Sequence, residues 1–309
     1  MDREQEERQF LGFFGIVKES IKIISTWRKI FSQITLAFIL PLSLIFLAHI
    51  EVSAFVFAKI TPEYNELSDF VTSNAIELLL FTVVSIVLVV IFSLLSTSAV
   101  VCTTTCVYTS RSITFRGVMR VFPKVWKRLM ITYLWSFLAI SIYIVVTTVI
   151  FSLLIALIPS PAIVLALVFI LYLSGLVYIS IILNLACVIS VVEDIYGIQA
   201  MFKSKNLING KLGISIAINL LLTIGSMAIQ TVYCIFVACG HGSGLLRLGV
   251  AVLCFLFLLK LLLFSHVAQT VIYFVCKSYH HENIDKSPLA DHLEVHLLAE
   301  YLPPTASDV

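Results

Sequence analysis

The chain is predicted to be all-α: a polytopic membrane bundle of six transmembrane helices. Three observations predict it. Hydrophobic residues make up 60% of the 309 and charged residues 12%, whereas soluble domains sit nearer half apolar and a quarter charged. The apolar residues gather into six runs, each reaching the roughly 20 residues needed to cross hydrocarbon. Lysines and arginines collect on one side of those runs. No water-soluble fold could hide this much apolar surface, so the bilayer must be the solvent for most of the chain.

The segment 1–33 is read as a polar leader and an amphipathic helix. Phe10, Phe13, Phe14, Val17, Ile21, Ile24, Trp27 and Ile30 alternate there with Lys18, Lys22, Arg28 and Lys29. Span 1 follows over about 34–58, with Pro41 inside it and a kink expected there. Residues 59–74 read as an acidic loop carrying Glu63, Glu66 and Asp69. Span 2 covers about 75–108, long enough that it must tilt or project. Its second half, SLLSTSAVVCTTTCVYTS, is rich in small hydroxyl residues that let helices approach closely. The stretch from Ser112 to Arg128 is basic and half apolar, with Arg116, Arg120, Lys124, Lys127 and Arg128 at near-helical spacing. Such a helix is expected to lie in the headgroup region, and it runs into span 3 (129–158) without a break.

Pro159 and Pro161 mark a tight turn into span 4, 162–192. A third amphipathic segment opens at Glu193 and Asp194, with Asp194 expected as an N-cap. Ile195, Ile198, Met201, Phe202 and Leu207 mark its apolar side, beside Lys203, Lys205 and Lys211. Spans 5 and 6 cover about 212–238 and 245–276, around the flexible loop Cys239–Gly244. The tail, 277–309, is polar; Ser287-Pro288 and the leucines after it predict a short amphipathic helix. No cleavable signal peptide is expected, because the first apolar run follows a charged leader.

Orientation follows from the cations. The leader carries six, the stretch after span 2 six, the stretch after span 4 three and the tail two, which is 17 of the 20. Opposite them stand Lys59 and Arg247 alone, and Lys260 falls within span 6. Both termini are therefore expected in the cytosol, with the acidic loop facing outward. We call the cation-rich side the basic side. The three basic segments precede spans 1, 3 and 5, which suggests a threefold repeat of one interfacial helix and two spans. One overlay of the three aligns Ile16, Phe115 and Ile198, and sets Trp27-Arg28-Lys29 against Trp126-Lys127-Arg128 and Asn209-Gly210-Lys211.

Four blocks carry a resemblance: the opening ERQFLGFFGIVKESIKIISTWRKIFSQ through HIE, then VFPKVWKRLMITYLWSFL, VVEDIYGIQAMFKSKNLINGKLG, and the tail SYHHENIDKSPLADHLEVHLLAEYLP. Together they resemble a family of plant six-span integral membrane proteins of unknown biochemical role, over nearly the whole chain. The pattern of Glu193, Asp194, Gly197, Ala200 and Ser204 is also similar to a broad group of membrane domains, one branch of which is attached to some glycerophosphodiester phosphodiesterases. The resemblance implies a shared membrane architecture in the endomembrane system or plasma membrane, and it supplies no catalytic residues.

Candidate chemistry is sparse. The seven cysteines fall in or beside apolar runs, without disulfide or zinc spacing. No phosphate-binding loop, nucleophile elbow or metalloprotease motif occurs, and no carboxylate pair lies within a span. His49 with Glu51, and His280-His281-Glu282 with only solvated neighbours expected, make weak metal signals. We therefore expect no catalytic residue, no metal and no cofactor, and the distribution of cations gives no reason to expect nucleic acid. Lys260 stands out, because a cation inside a span is costly. It is read either as snorkelling or as part of a polar cavity with Asn184, Asn219, Gln230 and Thr104. The expected function is a non-enzymatic scaffold that binds anionic headgroups of the cytosolic leaflet and protein partners through its cytosolic helices and tail. The alternative is a small-solute transporter or channel with a path near Lys260. The headgroup residues would be Lys18, Lys22, Arg28, Lys29, Arg116, Arg120, Lys124, Lys127, Arg128, Lys203, Lys205 and Lys211.

Overall fold

The computed structural model describes residues 10–60, 64–109, 115–157, 162–238 and 243–282. Among the described residues every regular element is a helix. They are α1 (Phe13–Thr26), α2 (Arg28–Ile34), a π-turn π1 (Thr35–Ile39), α3 (Leu40–Ile60), α4 (Tyr64–Tyr108), α5 (Phe115–Leu157), α6 (Ala162–Val192), α7 (Ile198–Leu207), α8 (Leu212–Tyr233), a second π-turn π2 (Cys234–Ala238) and α9 (Gly244–Tyr279). Six helical stretches are long and apolar enough to cross a membrane: Arg28–Ala54, Leu79–Tyr108, Val125–Ile155, Ala166–Val192, Leu212–Ala238 and Gly244–Tyr279. The fold is an all-α polytopic bundle. The expected turn at Pro159, the loop at 239–242 and the tail helix lie outside the described residues.

Two boundaries differ from expectation. Span 1 starts early, at Arg28, because the break after α1 falls at Trp27 (φ −105, ψ 35) and the chain is helical again directly after it. Residues 64–74, read as loop, are the first turns of α4, which is 45 residues long. At 1.5 Å per residue that is about 68 Å, more than twice the hydrocarbon thickness. The basic stretch runs into span 3 without a break, as expected: residues 115–157 form one helix with Pro123 inside it. Proline near the start of a long helix removes one hydrogen bond and the rest of the ladder persists.

Pro41 lies just beyond a local change of helical form. It has no N–H and its ring crowds the carbonyl four residues back. The chain responds just upstream: the Leu40 N–H bonds to the Thr35 carbonyl, five residues back, and Thr35–Ile39 takes the π form.

The described chain divides into two compact units. The first holds α1 as far as Ile23, then Val101–Leu220, and the chain from Val267. Its core is built from the basic-side ends of α4, α6 and α9, where Cys102, Thr103, Thr104, Ala186, Ile189, Ser190, Ala268 and Thr270 are almost wholly buried. Small and hydroxylated residues at these positions let backbones close up. Tyr108 of α4 stacks on Phe274 of α9 with ring centres 4.5 Å apart. Away from this core, α5 and α6 still touch through Tyr143, whose hydroxyl donates to the Tyr172 carbonyl at 3.0 Å. Gly175 makes room for it, because any Cβ there would overlap the Tyr143 phenol. A cleft of about 520 Å³ lies alongside, lined by residues such as Thr147, Phe151 and Phe169.

The second unit holds Ile24–Val100 and Leu221–His266. Its apolar centre is Leu47, Tyr233, Val237, Cys254 and Leu258. Tyr233 donates to Glu51 at 3.1 Å. Arg247 donates to the Val237 carbonyl at 2.7 Å and so satisfies an orphan acceptor at the end of π2.

Ile16 and Ile23, Val118 and Val125, and Ala200 and Leu207 are buried pairs seven apart, and Ile34, Ser136 and Ile218 are buried eighteen residues after the first of each pair.

Candidate functional site

The site grows from the five residues of the Glu193 pattern, each of which has a separate job. Glu193 follows the last residue of α6 and is buried, 6% exposed. Its Oε1 accepts a hydrogen bond from the Tyr273 hydroxyl at 2.6 Å and another from Lys277 Nζ at 3.3 Å. Lys277 also donates to the Tyr273 oxygen at 3.3 Å. On the other side, Oε2 lies 2.7 Å from Lys203 Nζ, which in turn lies 3.3 Å from Glu282. Two carboxylates and two ammonium groups thus form a knot with no net charge, which a buried position requires.

Burial alone would raise the Glu193 carboxyl. The Lys203 ammonium, the Tyr273 hydroxyl and the Lys277 charge outweigh it and hold the carboxyl below its ordinary range. Burial would likewise lower Lys203, but Glu193 and then Glu282 hold it above the ordinary lysine value. A carboxylate stabilised in this way is a weak base, so its chemistry is positioning.

Asp194 is exposed and pairs with Arg128 of α5. It is not the expected N-cap of α7. That place belongs to Gly197, at φ 64 and ψ −135, with no side-chain cap. The left-handed φ favours glycine, and a Cβ would also press on Trp135 at 3.3 Å. The Gly197 amide donates to Thr132 Oγ1 at 2.7 Å. Thr132 lies 2.7 Å from Ser190 Oγ, and Ser190 donates to the Ala186 carbonyl at 2.8 Å. Thr132 in turn reaches the Arg128 carbonyl at 3.1 Å, so either hydroxyl can donate to the other, and a short relay ties α5, α6 and the α7 entry together. Ala200 is wholly buried. Ser204 donates to the Ile182 carbonyl at 2.7 Å, fixing α7 along α6.

The far end of α7 is held by α9. His280 Nε2 lies 3.1 Å from the carbonyl oxygens of both Leu207 and Asn209. Two acceptors require a donor, so Nε2 carries the hydrogen. Gly210, at φ 91, abuts the Tyr279 ring, and Lys211 lies over that ring at 5.1 Å. His280 is exposed and Glu282 half-buried, yet both bond to protein, where only solvated neighbours were expected. Sequence reasoning assigned Lys277 to the tail and missed Tyr273. The available signal was their spacing of four, which puts both on one helix face.

The predicted headgroup residues divide. Lys18, Lys22, Arg28, Lys29, Lys127 and Lys205 are exposed. Lys22 also lies 3.9 Å from Glu19. Lys203 and Arg128 face protein carboxylates instead of headgroups, and Lys211 is half-buried on the Tyr279 ring. The side chains of Arg116, Arg120 and Lys124 lie outside the described residues. Of the cavity set, Thr104 is fully buried, Asn184 and Gln230 are half-buried, and Asn219 donates to Ser180 at 3.0 Å. Lys260 is exposed on α9, as snorkelling requires. Asn184, Asn219 and Thr104 belong to the first unit and Gln230 and Lys260 to the second. Among the described residues no three His, Cys, Asp or Glu side chains converge as a metal would need.

Comparison with curated proteins gives no match, and comparison with solved structures gives none either. The family described as "Domain of unknown function (DUF8558)" matches residues 1–309, the whole chain, and the protein belongs to that family.

Proposed function

We propose that the protein is a non-enzymatic scaffold of the endomembrane system or plasma membrane, with its basic side in the cytosol. It binds anionic headgroups and protein partners through helices on that face. The observation that carries this is the two-sided character of α1 and α7. On α1, Ile16, Ser20 and Ile23 are buried, while Phe14 and Ile21 stand 83% and 55% exposed on the opposite side. Lys18 and Lys22 flank that exposed stripe. On α7, Ala200, Ser204 and Leu207 are buried, while Ile198 and Phe202 are exposed and Lys205 lies nearby.

A helix packed on protein by one face and showing apolar side chains beside cations on another suits the headgroup boundary. Burying an exposed Phe or Ile in lipid contributes about 1.5–3 kcal/mol, and each cation near an anionic surface about 1 kcal/mol. The Glu193 knot supports the same reading, because it holds α7 still against α6 and α9. The plant-family resemblance supports the choice of membrane.

The test is native mass spectrometry of the full chain in mild detergent, with phosphatidylserine and phosphatidylcholine in competition. The expected result is preferential retention of phosphatidylserine, reduced several-fold by Lys18→Gln, Lys22→Gln and Lys205→Gln together. Equal retention of the two lipids, or no response to the triple change, would sink the proposal.

A further inference from the structure

The strongest unassigned feature is the groove beside π1, of about 320 Å³. Arg28, Thr35, Leu36 and Leu40 line it from span 1, and Leu259 and Leu263 from α9. All of these residues belong to the second unit. We infer that this groove seats one anionic phospholipid of the basic-side leaflet, with its phosphate on Arg28 and an acyl chain along the four leucines.

The inference rests on the lipid-binding proposal for the class of ligand, and on the groove itself for the place. Pro41 forces the π form of Thr35–Ile39, and the extra residue in that turn shifts the side chains that follow out of α-helical register. Single π-turns of this kind are frequent at functional sites. Arg28 opens span 1, is exposed, and has no carboxylate within ion-pair reach among the described residues. A guanidinium matches phosphate with two parallel N–H donors. Leu36 lies about 12 Å further along the helix, at the depth of acyl chains when Arg28 is at the headgroups, and it is 70% exposed.

Arg28, with no protein carboxylate in ion-pair reach among the described residues, thus favours an anionic lipid over a zwitterionic one.

The test uses the full chain in phosphatidylcholine nanodiscs with a phosphatidylserine bearing a photoreactive group on its acyl chain. Cross-linked peptides are mapped by mass spectrometry. Labelling is expected on residues 24–40 and 259–263, and is competed by unlabelled phosphatidylserine but not by added phosphatidylcholine. Arg28→Gln should cut it at least fivefold, and Leu263→Trp should block it. Arg28 is exposed, so its variant decides the matter even if Leu263→Trp fails to fold. Equal labelling by a photoreactive phosphatidylcholine would overturn the inference, as would labelling spread over all spans or unaffected by Arg28→Gln. Lys18→Gln with Lys22→Gln should lower total retained phosphatidylserine while leaving groove labelling intact, so the broader proposal and this one can fail separately.

Discussion

The hydroxyl of Tyr273 donates to the carboxylate of Glu193 at 2.6 Å, joining α9 to the end of α6. That bond sets Glu193 apart from its neighbour Asp194, although the two acids look alike in sequence. Glu193 is buried among Tyr273, Lys277 and Lys203, whereas Asp194 is half exposed and meets only Arg128 among the described residues. Removing one partner of a buried pair leaves the others uncompensated and costs about 3–5 kcal/mol. An exposed pair is worth about 0–1 kcal/mol. Glu193→Ala should therefore lower the thermal midpoint in detergent by many degrees, and Asp194→Ala by little. Similar shifts for the two would refute the assignment of the knot.

The knot also predicts a pH dependence. The folded Glu193 carboxyl lies below its ordinary value of 4.5, so its contribution is fully present above that pH and is lost as pH falls through the folded value. Lys203 lies above its ordinary 10.5, so its contribution is present below that pH and is lost as pH rises through the folded value. Between those limits the pair adds a constant amount. Melting curves from pH 7 down to pH 3 should fall less steeply for Glu193→Gln than for the parent chain. Parallel acid limbs would show that other carboxylates carry the whole effect.

Gly197 offers a sharper backbone test. With φ 64 and ψ −135 it holds a conformation that side chains resist, and a Cβ would meet Trp135 at 3.3 Å. Strained backbone of this sort costs about 1–3 kcal/mol. Gly197→Ala should destabilise the chain by about that amount, while Gly213→Ala, on α8 with open space where the Cβ would stand, should be neutral or stabilising. Trypsin sensitivity at Lys203 and Lys205 is a second readout. If α7 loosens, cleavage there should rise in the Gly197 variant only.

The spans were legible because hydropathy averaged over the length of a bilayer crossing is a strong, local signal. The Glu193 pattern was legible as a pattern, and its chemistry was not. Tyr273 and Lys277 lie far downstream, on α9, and their spacing of four puts them on one face without marking Glu193 as the partner. The start of α7 was misplaced for a physical reason. An aspartate before an apolar run reads as a cap, but Arg128 takes Asp194 and a left-handed glycine begins the helix instead. The amphipathic faces were half legible. Periodicity gives one apolar side, yet α1 and α7 divide their apolar residues between a face packed on protein and a face left open. Composition cannot tell those two destinations apart. Lys260 drew notice as a cation in a span, whereas the groove beside π1, lined in part by Leu259 and Leu263, carries no local signal in the sequence.

Thr132 carries the last prediction. Its oxygen accepts the Gly197 amide at 2.7 Å and lies at the same distance from Ser190 Oγ. Thr132→Val keeps the shape and removes the oxygen, leaving the Gly197 N–H buried without an acceptor. A buried donor stripped of its partner costs about 1–3 kcal/mol. Thr132→Ser keeps the oxygen and loses only a methyl group. Hydrogen exchange at the Gly197 amide should therefore quicken strongly in the valine variant and little in the serine variant. Because the bond closes the junction of α5, α6 and α7, exchange should also rise along residues 198–204. Equal protection of that segment in the two variants would mean that packing around Ala200 holds α7 without help from the hydroxyl relay.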